Sequence, residues 1–108
     1  MSVLKINSEL YKQQVENEKK VVLAEFWAPW CVYCRRIGPA FKKLAEEYGD
    51  KLVIGQVNID EEPDLAQQNN IEVVPTLILY KDGQAVGSIV APDSKGKIEE
   101  FIKEHIEA

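Results

Sequence analysis

Residues 21–37 read Val21-Val22-Leu23-Ala24-Glu25-Phe26-Trp27-Ala28-Pro29-Trp30-Cys31-Val32-Tyr33-Cys34-Arg35-Arg36-Ile37. The first six are apolar and partly β-branched apart from Glu25, which suits a strand buried on both faces, as in a parallel sheet. From Ile37 onward, Phe41, Leu44, Ala45 and Tyr48 recur at i+4, i+7, i+8 and i+11, one face of a long helix. Gly38 and Pro39 fall in its early turns, and a proline without an N–H predicts a kink there. The two cysteines thus lie at a strand-to-helix junction.

Working outward, Val3–Ile6 reads as a short strand, and Ser8 as the N-cap of a helix carrying Leu10, Tyr11 and Val15. Leu52–Asn58 reads as a second buried strand. Pro63–Asn69 reads as a short helix, opened by Asp60, Glu61, Glu62 and Asp64 where the helix dipole favours negative charge. Thr76–Lys81 and Gln84–Val90 flank Asp82-Gly83, a two-residue hairpin signal. Ile98, Phe101, Ile102 and Ile106 give a closing amphipathic helix. The order βαβαβ, then αββα, predicts an α/β fold with a mixed central sheet, parallel in its first half, antiparallel at its edge, with helices on both faces.

The chain has 108 residues, 45% hydrophobic and 29% charged. That length predicts one domain, 1–108, with a core that folds without staples. Eighteen acids against thirteen scattered bases, a net charge of -5, leave no basic stripe for nucleic acid. Met1–Leu10 mixes Lys5, Asn7 and Glu9 among its apolar residues, unlike a signal peptide, and no run approaches the eighteen or so apolar residues of a membrane span. A cytoplasmic protein without membrane partners is expected. No glycine-rich phosphate loop is present, so any redox work falls to the side chains.

Cys31 and Cys34 are the only cysteines. The first N–H groups of a helix lack internal partners and project partial positive charge, so a thiolate at Cys31 would be stabilised there. Cys34, one turn into the helix, is close enough to bridge it, which makes the pair a reversible dithiol/disulfide switch. A structural zinc site needs four ligands, and a lone His105 some seventy residues away does not complete one. An inert buried pair is the other alternative.

The segment Glu25-Phe26-Trp27-Ala28-Pro29-Trp30-Cys31-Val32-Tyr33-Cys34 resembles the active-site segment of the thioredoxins. The likeness continues through Gly38-Pro39, Val57-Asn58-Ile59-Asp60, Val74-Pro75-Thr76, Lys81-Asp82-Gly83 and Ser94-Lys95-Gly96. The resemblance implies the thioredoxin fold and reduction of protein disulfides. By position, Cys31 would be the nucleophile and Cys34 the resolving thiol. Pro75 would be the family's cis-proline, and the Val74 backbone would pair with an extended substrate. Trp27, Trp30, Val32, Tyr33 and the Val90-Ala91-Pro92 loop would complete the substrate rim. The implied partners are disulfide-containing proteins and, as electron donor, a flavin- and NADPH-dependent thioredoxin reductase. A monomer with no bound cofactor, working through its redox-active disulfide, is expected.

Several positions depart from the family pattern. Val32-Tyr33 replaces the common Gly-Pro, restoring an N–H at position 33 that, facing the Cys31 sulfur, would make the pair more oxidising. An oxidase or isomerase, a glutaredoxin-like role and a non-catalytic binding module are the competing functions. Glu25 stands where a buried aspartate usually relays a proton to the second cysteine, and burial would raise its pKa. Gln56 replaces the lysine that usually neighbours that acid, and Ala91 a common glycine. Arg35 and Arg36 read as a solvated helix face or as charges acting on the thiolate, and His105 as a packed residue near a helix C-terminus.

Overall fold

The apolar run forms strand β2 (Val22–Trp27) at the centre of a five-stranded sheet. A computed structural model describes residues 3–49 and 51–106. The other strands are β1 (Leu4–Lys5), β3 (Val53–Asn58), β4 (Thr76–Lys81) and β5 (Gln84–Val90), in the spatial order β1-β3-β2-β4-β5. Pairing is parallel from β1 through β3 to β2 and antiparallel from β2 to β4 and β4 to β5. The expected mixed sheet is the one observed. At the hairpin, Asp82 and Gly83 have φ of 56° and 84°, the left-handed pair that matches the twist of the strands they join.

Alternation along β2 divides the core. Leu23 faces a cluster with Leu77 and Leu79 of the sheet, Ile37, Phe41 and Leu44 of helix α2 (Val32–Tyr48), and Ile98, Phe101 and Ile102 of helix α4 (Lys95–Ile106). Val22, Ala24 and Phe26 face the opposite cluster, which holds Ile6, Tyr11, Val15, Leu65, Ile78 and Tyr80. Both faces of β2 are covered, which is why its sequence is apolar throughout rather than alternating. Gly55 of β3 has no room for a side chain: a Cβ there would meet the Ile6 side chain and stand 3.0 Å from the Leu4 carbonyl oxygen. Its small size lets β1 lie against β3.

The first helix departs from expectation. Its cap is Asn7, not Ser8: the Asn7 side chain accepts the Leu10 N–H at 2.8 Å, and Ser8 opens helix α1 (Ser8–Tyr11). Ser8 is engaged elsewhere, its hydroxyl donating to Glu62 Oε1 at 3.0 Å and its N–H to the same oxygen at 3.2 Å. Glu62 precedes helix α3 (Pro63–Gln68), so the contact ties the two helices on that face. Past Tyr11 the backbone widens into a π-helical segment, Lys12–Asn17. Helix α2 continues through Gly38 and Pro39, so the proline removes one hydrogen bond without ending the element. No helix among the described residues is long and apolar enough to cross a membrane.

Candidate active site

Strand β2 ends at Trp27, and Ala28-Pro29-Trp30 carries the chain to Cys31, the N-cap of α2. Cys31 is extended (φ −88°, ψ 109°), and its sulfur accepts the Cys34 N–H at 3.1 Å. A cap accepts from the second or third helical residue, and here the donor is the third, Cys34. In this disulfide form no Tyr33 N–H hydrogen bond to the sulfur is formed among the described residues. Cys31 and Cys34 are joined by a disulfide with Cα atoms 5.3 Å apart.

Both cysteines are largely buried, in a small cluster with Ala28 against which Trp27, Tyr33, Ile59 and Val74 pack. Around them the surface is open and apolar: Trp30 is 64% exposed and Val32 54%. The Trp30 indole donates to Asp60 Oδ1 at 3.3 Å, which fixes the ring at the rim. The Val74–Pro75 peptide is cis, and the Val74 carbonyl oxygen lies 3.8 Å from Cys31 Sγ. Among the described residues Val74 has no backbone hydrogen-bond partner. Beside it, an open recess of about 310 Å³ is lined by Trp30, Ile59, Ile71, Glu72, Val73 and Val74.

The other side of the rim is the loop after β5. Ala91 takes φ +46°, a left-handed conformation that explains why glycine is common there. Its N–H donates to the Pro75 carbonyl at 2.8 Å. Val90 and Ala91 are exposed, whereas Pro92 is buried rather than part of the rim. The Tyr33 hydroxyl reaches across to this loop, donating to the Pro92 carbonyl at 3.0 Å, with the Ala91 carbonyl at 3.4 Å. Nothing in the spacing of Tyr33 and Pro92 signals that contact.

Glu25 lies in the middle of β2 with no exposed surface. It shares the sheet face of Leu23, whose neighbours on α2 begin at Ile37, one turn beyond Cys34. Its register partner on β3 is Gln56, whose side-chain amide donates to Glu25 Oε1 at 2.8 Å. Oε2 is buried without a partner. Burial pushes the carboxyl pKa up from 4.5 to about 7, a rise that the Gln56 hydrogen bond opposes. Gln56 thus gives Glu25 a neutral donor where the family resemblance implies a cationic lysine.

Arg35 and Arg36 are exposed and form no ion pair among the described residues, as a solvated face would. His105, on helix α4, packs against the Phe101 ring at 4.8 Å with Nδ1 2.8 Å from the Phe101 carbonyl oxygen, and is not part of the cluster that holds the cysteines.

A family model for thioredoxin matches residues 2–104. The chain is 36% identical over 101 residues to thioredoxin 1 of Synechococcus elongatus, covering 94% of each. It is 35% identical over 106 residues to the thioredoxin of Bacillus subtilis, covering 98% of this chain and all of that one. The crystal structure of Malassezia sympodialis thioredoxin superposes with a TM-score of 0.86 at 36% identity, over 96% of this chain and 90% of that one. With a Cys31–Cys34 disulfide at the head of α2 beside a cis-proline, and full-length relatives of that kind, this chain belongs to the thioredoxin family and is a protein disulfide oxidoreductase.

Proposed function

We propose that residues 1–108 work as a single cytoplasmic, monomeric domain that reduces protein disulfides, with Cys31 as nucleophile and Cys34 as resolving thiol. The observation that carries the assignment is the position of the Cys31 sulfur: it caps α2 and stands at the opening beside the Val74 backbone, which has no backbone hydrogen-bond partner among the described residues. In the reduced protein the Cys31 thiolate attacks one sulfur of the target disulfide, and the other sulfur leaves as a thiolate and takes a proton from water. Cys34 then loses its proton to the Glu25 carboxylate and attacks the Cys31 sulfur. The second target thiolate is expelled, and the Cys31–Cys34 bond forms. Two electrons have moved to the target, which accepts two protons in all. A carboxyl with a pKa near 7 can take that proton and return it near neutral pH.

The target chain is held by strand addition on Val74, with its side chains over Trp27, Trp30, Val32, Tyr33 and Ala91. The electrons reside in the cysteine pair without a bound cofactor, and a thioredoxin reductase restores the dithiol. Insulin reduction with dithiothreitol tests the assignment. Cys31→Ser should fall to the uncatalysed rate, and Cys34→Ser should accumulate a mixed disulfide that an intact pair does not. Turnover by Cys31→Ser would refute it.

A further inference from the structure

The substrate groove has two walls of different construction. The Val74–Pro75 wall leads directly into β4. The Ala91–Pro92 wall is a loop whose first residue holds a left-handed conformation that a side chain disfavours, and whose second has no N–H to anchor it. Beyond the burial of Pro92 and the pairing of Val90 with Thr76, two hydrogen-bonded ties hold this loop: the Ala91 N–H on the Pro75 carbonyl at 2.8 Å, and the Tyr33 hydroxyl on the Pro92 and Ala91 carbonyls at 3.0 and 3.4 Å. The second tie comes from between the two cysteines, fifty-nine residues away from Pro92 in the chain.

We propose that the Tyr33 hydroxyl is a specificity-determining clasp: it holds the Ala91–Pro92 loop so that the exposed Ala91 forms the outer wall of the groove, and so favours extended protein segments over small disulfides. A segment pairing with Val74 must lie alongside Ala91, because the Ala91 N–H binds the carbonyl of the very next residue, Pro75. A fixed loop presents that segment with a formed wall, and a loosened loop must be ordered on binding. A small disulfide reaches Cys31 without spanning both walls and gains nothing from the clasp. The inference rests on the disulfide-reducing role of Cys31.

Tyr33→Phe removes the hydroxyl and keeps the ring. The fully reduced protein is mixed in stopped flow with insulin and, separately, with hydroxyethyl disulfide, and the ratio of the two rate constants is compared with that of the unsubstituted protein. The ratio should fall about threefold to tenfold, the range that one hydrogen bond spans. Amide exchange at Ala91 should accelerate by a similar factor while that of Leu79, in the middle of β4, should not. An unchanged ratio overturns the proposal whether or not Ala91 loosens. Cys31→Ser is run alongside: if it still reacts, the disulfide-reducing reading has failed, and if it is inert while the Tyr33→Phe ratio is unchanged, the clasp alone has failed.

Discussion

Replacing Glu25 by Gln should make the folded protein more stable above neutral pH while leaving it nearly unchanged in acid. The carboxyl is fully buried, with a pKa pushed from 4.5 to about 7 by desolvation. Between those values the folded protein keeps a proton that the unfolded chain has released, so stability falls as pH rises. The steepest slope is about 1.4 kcal/mol per pH unit, and over this interval the loss reaches about 3 kcal/mol. Below about pH 4.5 the penalty is absent, and above the folded pKa it is complete. Glutamine keeps an oxygen for the Gln56 amide and puts a neutral group where Oε2 has no partner. Urea titrations of the oxidised protein from pH 4 to pH 9 should show the substituted and unsubstituted profiles meeting in acid and separating by about 3 kcal/mol at the alkaline end. Other titrating groups cancel in the difference. Parallel profiles would refute the buried, proton-holding carboxylate.

The same substitution should slow release of the mixed disulfide near neutral pH more than it slows the first attack, in rapid-quench measurements. Equal effects on both steps would exclude Glu25 as the relay. Gly55→Ala should destabilise the protein by about 1–3 kcal/mol, because the new methyl meets Ile6 and the Leu4 carbonyl oxygen. Amide protection should be lost first at Ile6, whose N–H donates to the Gln56 carbonyl at 2.8 Å; an unchanged urea midpoint would show that β1 moves aside freely.

What could be read from the residues divides along the range of the forces involved. The β2 strand and the stripes of α2 and α4 were legible because each is periodic within its own segment, and burial follows the period. The cap of α1 was misplaced by one residue because Asn7 and Ser8 are both good caps, and the choice was made by Glu62, fifty-four positions away. The π-helical turn after Tyr11 has no local signal comparable to a proline or a glycine. At the site, the spacing of Cys31 and Cys34 and their junction position were sufficient to indicate the chemistry. The exposure of Trp30 was not: an aromatic beside a buried strand reads as core, and only the likeness to a family puts it on the rim. The Gln56–Glu25 hydrogen bond depends on the register of parallel strands joined by a long helical crossover, and the Tyr33–Pro92 contact on a loop conformation. Neither leaves a trace in local pattern.

The Cys31 sulfur serves two equilibria at once. As the acceptor at the head of α2 it receives the Cys34 N–H, and to a sulfur bearing negative charge such a hydrogen bond is roughly twice as strong. This hydrogen bond is therefore stronger when Cys31 is a thiolate, whereas in the disulfide form the same two residues are held covalently. Linkage runs in both directions. Anything that weakens this hydrogen bond costs a thiolate-bearing reduced state more than the oxidised one and makes the pair a stronger reductant, while anything that strengthens it draws electrons in. The electron affinity of this protein is thus set partly along the length of a helix and not at the sulfur atoms alone.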